Sequence, residues 1–130
     1  MNVVDSSGWL EYFADGPNAD FFAPAVQDLG ALIVPSLTIY EVFKTVCRQR
    51  GEGTALQAIA VMHQAAIVDL DSATAIDAAR LSLEHKIPMA DSIILATSMS
   101  HGAILWTQDS DFEKMAGIKY IKRRGPADET

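Results

Sequence analysis

The sequence predicts an α/β domain, specifically a three-layer α/β/α sandwich with a mainly parallel central sheet. Short apolar segments alternate along the chain with segments of helical character, which is the order expected when crossover helices join the strands. The strand segments are continuous apolar runs, as is typical of parallel strands that are covered on both faces. A chain of 130 residues suits one domain that buries roughly two-thirds of its unfolded surface. We therefore expect residues 1–130 to form a single domain.

The elements are assigned in chain order from these apolar runs and from the residues that break them. The predicted strands are residues 2–5, 31–35, 66–70 and 103–107, with a last edge strand at 118–121. The predicted helices are residues 9–13, 18–29, a segment capped at 36 or 38 that ends at 50, 54–64, 72–84, 88–101, and a short turn at 109–112. Gly16 and Pro17 separate the first two helices, and Gly51 ends the third after a basic turn.

Four acidic residues stand where apolar segments end or begin. Asp5 and Asp109 follow predicted strands, whereas Glu41 and Asp91 fall in the first turns of predicted helices. In parallel α/β folds such positions meet beyond the carboxyl ends of the strands, where sites form. An almost continuous apolar run follows Asp91, and a buried carboxylate is costly unless it is paired, hydrogen-bonded or bound to a cation. We predict that the four acids converge on one metal site.

Each acid also has an ordinary explanation as a helix-capping residue. Asp5 and Asp109 suit N-cap positions, Thr38 and Glu41 match a capping box, and Asp91 in a first turn complements the helix dipole. Capping accounts poorly for the set, because two like charges ~4 Å apart repel by ~4 kcal/mol at an effective dielectric constant of about 20. A hard divalent cation relieves this repulsion, and oxygen ligands suit Mg²⁺ or Mn²⁺.

Composition narrows the range of functions. The net charge of −7 counts against a general nucleic-acid binder, although bound cations offset the acids of a metal-dependent nuclease. The single cysteine, Cys47, excludes an intrachain disulfide and fits a reducing compartment. The three histidines are widely spaced and do not form a zinc pattern. No apolar run reaches the ~18 residues of a transmembrane helix and no secretion signal is recognised, so we expect a cytoplasmic protein with no membrane partner.

Four motifs, in this order and at these separations, resemble those of a PIN domain. They are VVDSS at 3–7, IYEV at 39–42, MADS at 89–92 and LWTQDSDF at 105–112. In size and in the order of its elements the chain is most similar to VapC, the ribonuclease toxin of type II toxin–antitoxin systems. The resemblance covers nearly the whole chain, so we expect a single PIN-like domain.

This resemblance implies a set of catalytic, metal-binding acids with supporting residues around them. The implied acids are Asp5, Glu41, Asp91 and Asp109. The supporting residues are Ser92 and Thr107, which would hydrogen-bond the carboxylates, and Asp111, which would lie beside them. The implied reaction is hydrolysis of an RNA phosphodiester with Mg²⁺ or Mn²⁺ as cofactor. The resemblance also implies a VapB-type antitoxin as protein partner and a homodimer.

Two surfaces are predicted in addition to the acids. Half of the ten aromatic residues lie between positions 9 and 22, and an exposed apolar cluster marks an interaction site, here for the antitoxin. These partner-binding residues are Trp9, Tyr12, Phe13, Phe21 and Phe22. The alternative is that the rings complete the core. Basic residues at 44–50 and 119–124 either contact RNA phosphates or form solvated ends of elements.

Other functions stay open on the sequence. A receiver domain or a haloacid-dehalogenase-like phosphatase would place paired acids after the first strand, but Asp5 stands alone there and Asp109 and Asp111 come at the far end. A PIN nuclease that processes ribosomal RNA or cuts DNA is a second alternative. A third is a non-catalytic partner-binding module in which the acids are helix caps.

Overall fold

A five-stranded parallel sheet organises the computed structural model, which describes residues 1–125. The strands are β1 (Asn2–Val4), β2 (Leu32–Pro35), β3 (Ala66–Val68), β4 (Ile104–Thr107) and β5 (Ile118–Tyr120), and they lie in the order β3-β2-β1-β4-β5. The helices are α1 (Ser6–Phe13), α2 (Ala19–Gln27), α3 (Ser36–Arg50), α4 (Glu52–Met62), α5 (Ser72–His85) and α6 (Met89–Ser100), with 3₁₀ turns at Leu29–Ala31 and Ser110–Phe112. The predicted α/β class with a parallel sheet is confirmed.

Helices cover both faces of the sheet because alternate strand residues point to opposite sides. Val4 belongs to the larger apolar cluster, which lies under α1 to α4. Its neighbour Val3 belongs to the second cluster, together with Leu105 of β4 and Ile94 of α6. The apolar runs of β1, β2 and β4 are therefore strands with two buried faces, whereas the outer strands β3 and β5 are only partly covered. None of the helices in residues 1–125 is long and apolar enough to cross a membrane.

Helix α3 begins earlier than the capping-box interpretation requires. Pro35 is its N-cap and Ser36 its first residue, which puts Thr38 inside the helix and Glu41 in the second turn. The Thr38 hydroxyl is buried and has no hydrogen-bond partner in the described part of the chain. The capping box is therefore wrong, and so is the first-turn position of Glu41. The Glu41 carboxylate is left without a capping role.

Two of the five early aromatic residues complete the core instead of forming a surface. Trp9 and Phe22 are both fully buried. Trp9 stacks on Phe13 with ring centroids 5.5 Å apart, and Phe21 lies 5.4 Å from the ring of Trp106. The predicted aromatic partner surface is therefore wrong for Trp9 and Phe22, because α1 and α2 pack as a pair against β1 and enclose these two rings.

The other three early aromatic residues are only partly buried. Tyr12, Phe13 and Phe21 are half-buried against the larger cluster. They keep accessible edges that a partner can reach, so a contact between the antitoxin and these three rings stays a prediction.

Gly8 provides a test of how closely α1 approaches the sheet. A Cβ atom at this position would lie 2.6 Å from Cγ1 of Val4 and 2.7 Å from Cε1 of Phe22, and both of those side chains are fully buried. We expect Gly8→Ala to lower the free energy of unfolding by ~1–3 kcal/mol through overpacking, measured by urea denaturation. Gly53→Ala in α4 is the matched control, because a Cβ atom there meets nothing within 4 Å. This substitution should raise the free energy of unfolding by up to ~1 kcal/mol. Equal effects of the two substitutions would contradict the close approach.

Candidate metal centre

The adjacent strands β1 and β4 bring two acidic segments to one edge of the sheet. Asp5 follows β1, caps α1 and accepts a hydrogen bond from the Gly8 amide at 2.9 Å. Asp109 follows β4, caps the 3₁₀ turn and accepts from the Asp111 amide at 2.9 Å. Because Val4 of β1 lies opposite Trp106 of β4, the two caps leave the sheet side by side. Capping and site formation are therefore compatible at Asp5 and Asp109.

Three hydrogen-bond donors hold the buried carboxylate of Asp5. Thr107 donates its hydroxyl to Oδ2 at 2.5 Å, and Oδ1 accepts from the Ser7 hydroxyl at 2.7 Å as well as from the Gly8 amide. Burial still raises the pKa of Asp5, with a smaller contribution from the charge of Asp109. The Thr107 hydroxyl also accepts from the Asp109 amide at 2.8 Å. Thr107 therefore joins the two acidic segments, which is the carboxylate contact expected from the sequence.

Helix α6 adds a third acid to this edge. Carboxylate oxygens of Asp91, Asp109 and Asp111 all lie within 4.8 Å of one another. The pKa of Asp91 is raised to about 7, mainly by burial and then, in decreasing order, by the charges of Asp109, Asp5, Asp111 and Glu41. Asp91 is thus the acid that all the others influence, and Asp111 stands inside the cluster and not merely beside it.

Glu41 approaches the same edge from α3. Burial raises the pKa of Glu41, the nearby Ser6 hydroxyl lowers it in part, and the charge of Asp5 raises it again. Its Oε1 atom is buried and has no hydrogen-bond partner in residues 1–125. Glu41 is outside the closest group of three acids, but its unpartnered oxygen is a buried acceptor that lacks a donor.

The donor set fits a hard divalent cation. The five acids offer only oxygen atoms, which are the ligands that Mg²⁺ and Mn²⁺ prefer. The ion pairs within the described part of the chain join Arg80 to Asp77 and His85 to Glu84, so none of the five acids is paired there. The buried Oε1 atom of Glu41, which has no hydrogen-bond partner in the described residues, independently indicates that this site takes a cationic group from outside the chain.

Ser92 does not take the role predicted for it. Its hydroxyl is buried and donates to the carbonyl oxygen of Met89 at 2.7 Å. The expected hydrogen bond from Ser92 to a site carboxylate is therefore wrong, because in the first turn of α6 a carbonyl three residues back satisfies the hydroxyl locally.

Two hydroxyl groups near the site were not among the site residues predicted from the sequence. Ser7 donates to Asp5, and Ser6 lies against Glu41. The signal that would have identified them is their position directly after an acid at the end of a buried strand.

A groove of about 590 Å³ lies between α1, α3 and α4, next to the residues that follow Asp5. Ser6, Ser7 and Gln108 line its end near the site, and the charged residues on its walls are Arg50, Arg123 and Glu11. Its apolar lining includes Leu10, Phe13, Val46, Ala58 and Val61. The groove therefore offers an apolar floor and two guanidinium groups to whatever approaches the acids.

The predicted basic segments are partly engaged within the protein. The Lys119 ammonium lies 4.1 Å from the ring centroid of Trp106, and that of Lys44 lies 5.7 Å from that of Tyr40. Arg124 donates to the side chain of Asn18 at 2.9 Å. These contacts reduce the number of cations that remain for RNA in the two segments.

Comparison with known proteins agrees with this architecture. Residues 3–118 match the family model described as PIN domain. No curated protein matches the chain. A toxin–antitoxin complex from Klebsiella pneumoniae contains a chain of the same fold with a TM-score of 0.73 and 22% identity, covering 92% of this chain and 96% of that one.

Two further solved structures share the fold. VapC20 from Mycobacterium tuberculosis, described as a Sarcin-Ricin loop cleaving toxin, has a TM-score of 0.76 at 15% identity, with 89% of this chain and 95% of that chain covered. DNA-bound VapBC from Salmonella typhimurium has a TM-score of 0.74 at 16% identity, with coverages of 94% and 97%. At such low identity these similarities establish the fold alone.

The raised pKa of Asp91 predicts how metal-free stability depends on pH. Since the folded pKa of about 7 exceeds the unfolded value, the stabilising effect of this proton is complete below about pH 4 and is lost as pH rises to about 7. In EDTA, the stability of Asp91→Asn should therefore rise relative to that of the wild type across this pH range. At pH 8 its free energy of unfolding should be larger by ~1–2 kcal/mol, after allowance for solvent screening. Thermal denaturation at a series of pH values measures the difference. Asp77→Asn, an exposed acid on α5, is the control, and a difference that stays constant from pH 4 to 8 would contradict the assignment.

Proposed function

The chain belongs to the PIN domain family, and on that premise we propose that it is a metal-dependent endoribonuclease, the toxin of a VapBC-type toxin–antitoxin module. One observation carries the proposal: five carboxylates from four segments influence one another at one edge of the sheet, and none has an ion-pair partner in the described residues. Such mutual repulsion persists in folded proteins where a bound cation relieves it.

The acids divide into two groups by their surroundings. Asp91, Asp109 and Asp111 would hold a cation directly, because their oxygens already lie within 4.8 Å of one another. Asp5 and Glu41 would complete the site from β1 and α3. A bound Mg²⁺ or Mn²⁺ supplies an activated water and neutralises charge at the scissile phosphate.

The chain's own residues prepare the site for that cation. Thr107 fixes Oδ2 of Asp5 and the backbone of Asp109 at once, so the two acids keep their separation. With a pKa of about 7, Asp91 carries a proton for part of the time at neutral pH, and this proton must leave when a cation binds. The site thereby stays compatible with folding until the cation arrives.

The alternative of a non-catalytic module explains fewer of these observations. It accounts for Asp5 and Asp109, which are N-caps. It accounts only in part for Asp91, whose first-turn position complements the dipole of α6 but whose carboxylate lies within 4.8 Å of those of Asp109 and Asp111. It does not account for Glu41, which lies in the second turn of α3. Two half-buried acids would then raise the energy of the fold without any function.

We further propose a VapB-type antitoxin that lies in the groove beside α1 and directs a basic side chain toward the acids. The groove leads to the site at Ser6 and Ser7 and has Phe13 in its wall, which supports this placement. We also propose a homodimer in the cytoplasm. The exposed apolar side chains of α5 and α6, including Leu83, Met89 and Met99, favour a second copy as their cover.

Cleavage of RNA by the purified chain, freed of any antitoxin, tests the proposed reaction. We expect cleavage of single-stranded and structured RNA with Mn²⁺ or Mg²⁺ and none with EDTA. The new ends should be 5′-phosphate and 3′-hydroxyl, because water and not the 2′-hydroxyl is the nucleophile. Asp91→Asn and Asp109→Asn should each lower the rate by roughly 100-fold or more, equivalent to several kcal/mol of transition-state stabilisation.

The control for that assay is Asp77→Asn, which removes the same charge from an exposed position on α5 and should cleave at the wild-type rate. Cyclic 2′,3′-phosphate ends, or cleavage that survives both EDTA and Asp91→Asn, would exclude the proposed site. Cleavage of DNA but not RNA would favour the nuclease reading with another substrate.

A further inference from the structure

A buried amide fixes the last described residues of the chain beside the acids. The side chain of Asn18 is 1% exposed. Its Nδ2 donates to the carbonyl oxygen of Lys122 at 3.1 Å, and its Oδ1 accepts from Nε of Arg124 at 2.9 Å. Arg124 also donates to the carbonyl oxygen of Pro17. The residues on both sides of Arg123 are therefore anchored to the turn between α1 and α2.

The same amide is connected to the candidate metal centre. Asn18 Nδ2 also donates to Oε1 of Gln108 at 2.9 Å, and Gln108 Nε2 donates to the carbonyl oxygen of Ser7 at 3.3 Å. Ser7 in turn donates its hydroxyl to Asp5. Gln108 is as well buried as Asn18. One continuous set of hydrogen bonds thus joins the C-terminal basic segment to an acid of the site.

Between its anchored neighbours, Arg123 lines the groove together with Ser7 and Gln108. Arg50 lines the same groove from the end of α3. Neither arginine takes part in an ion pair within residues 1–125. Among the cations of the C-terminal segment, Arg124 is engaged by Asn18 and Lys119 by an aromatic ring. Of the remaining two, Lys122 and Arg123, only Arg123 lines the groove.

We propose that Arg123 binds a phosphate of the RNA strand that lies in the groove, and that Asn18 is the positioning residue which holds Arg123 there. The inference rests on the proposed function and extends it to the contact that brings the strand to the acids. A chain with a net charge of −7 repels RNA over most of its surface, so a local cation at the mouth of the site is needed. A guanidinium group suits this task because it donates two parallel hydrogen bonds to a phosphate.

Binding of RNA without cleavage isolates this contact. The protein is the full chain with Asp91→Asn, in EDTA, and the probe is a short fluorescein-labelled single-stranded RNA of mixed sequence, followed by anisotropy at several salt concentrations. Adding Arg123→Gln should weaken binding by about 5–10-fold near physiological salt and lower the slope of log K against log salt by about 0.7, the value for one phosphate contact on a single strand. Arg123→Lys should restore part of the affinity.

The matched control is Lys122→Gln, which removes the same charge one residue away. Only the carbonyl of Lys122 is bound by Asn18, and its side chain does not line the groove, so its variant should keep affinity within about twofold and keep the salt slope. Mn²⁺ binding by otherwise wild-type chains that carry Arg123→Gln should be unchanged, because Arg123 contacts no acid of the site.

Asn18→Ala tests the positioning role through a double-mutant cycle. It should weaken RNA binding when Arg123 is present and have little further effect in Arg123→Gln, giving a coupling that a merely structural role would not produce. Thermal denaturation shows whether Asn18→Ala remains folded. If it does not, Asn18→Asp, which keeps the acceptor for Arg124 but loses both amide donors, takes its place.

Several outcomes would overturn the proposal. Equal losses in Arg123→Gln and Lys122→Gln would mean that only the overall charge matters. Unchanged RNA binding in Arg123→Gln would mean that the arginine serves a protein partner instead. Failure of the wild type to cleave any RNA with Mn²⁺ would remove the proposed function itself, whereas normal cleavage with no specific effect of Arg123 would remove this inference alone.

Discussion

The mutual repulsion of five carboxylates at one edge of a parallel sheet is the constraint on which this structure depends. The fold creates the repulsion, because β1, β4, α3 and α6 all direct an acid to the same end. The protein limits it locally through hydrogen bonds from Thr107, Ser7 and Gly8 to Asp5, and through the raised pKa of Asp91. We propose that a bound cation neutralises the repulsion that remains. This division explains how the acids can lie close together although they repel one another.

The overall fold could be predicted from the sequence because its signal is local. Continuous apolar runs identified β1 to β4, and the alternating segment 118–121 predicted β5. Asp5 and Asp109 were placed correctly, because an acid just beyond a buried parallel strand lies at the carboxyl end of the sheet. Glu41 was predicted in the first turn of α3 but lies in the second, because the helix begins at Ser36 with Pro35 as its N-cap, whereas the sequence also offered Thr38 as a cap. Ser92 could not be predicted because a nearby carbonyl and a distant carboxylate compete for the same hydroxyl.

Tertiary contacts decided the features that the sequence left open. The burial of Trp9 and Phe22 depends on how α1 and α2 pack on β1, which no periodicity in two short helices specifies. The basic residues near the end of the chain looked equivalent in the sequence. In the structure, Asn18 engages Arg124 and Trp106 engages Lys119, whereas Arg123 lines the groove and Lys122 does not. Asn18 itself lies some 90 residues from Gln108 in sequence, so their contact carries no local signal.

The central claim is that these acids form a site for a divalent cation, and calorimetric titration of Mn²⁺ into the metal-free protein tests it most directly. The account predicts saturable binding of Mn²⁺ to the wild type and to Asp77→Asn. Asp91→Asn should lose at least about tenfold in affinity, because residues that only support metal ligands already contribute 10–100-fold and a direct ligand should contribute no less. Wild-type protein that shows no saturable binding of Mn²⁺ would contradict the account, because the five carboxylates would then be parts of the scaffold and nothing more.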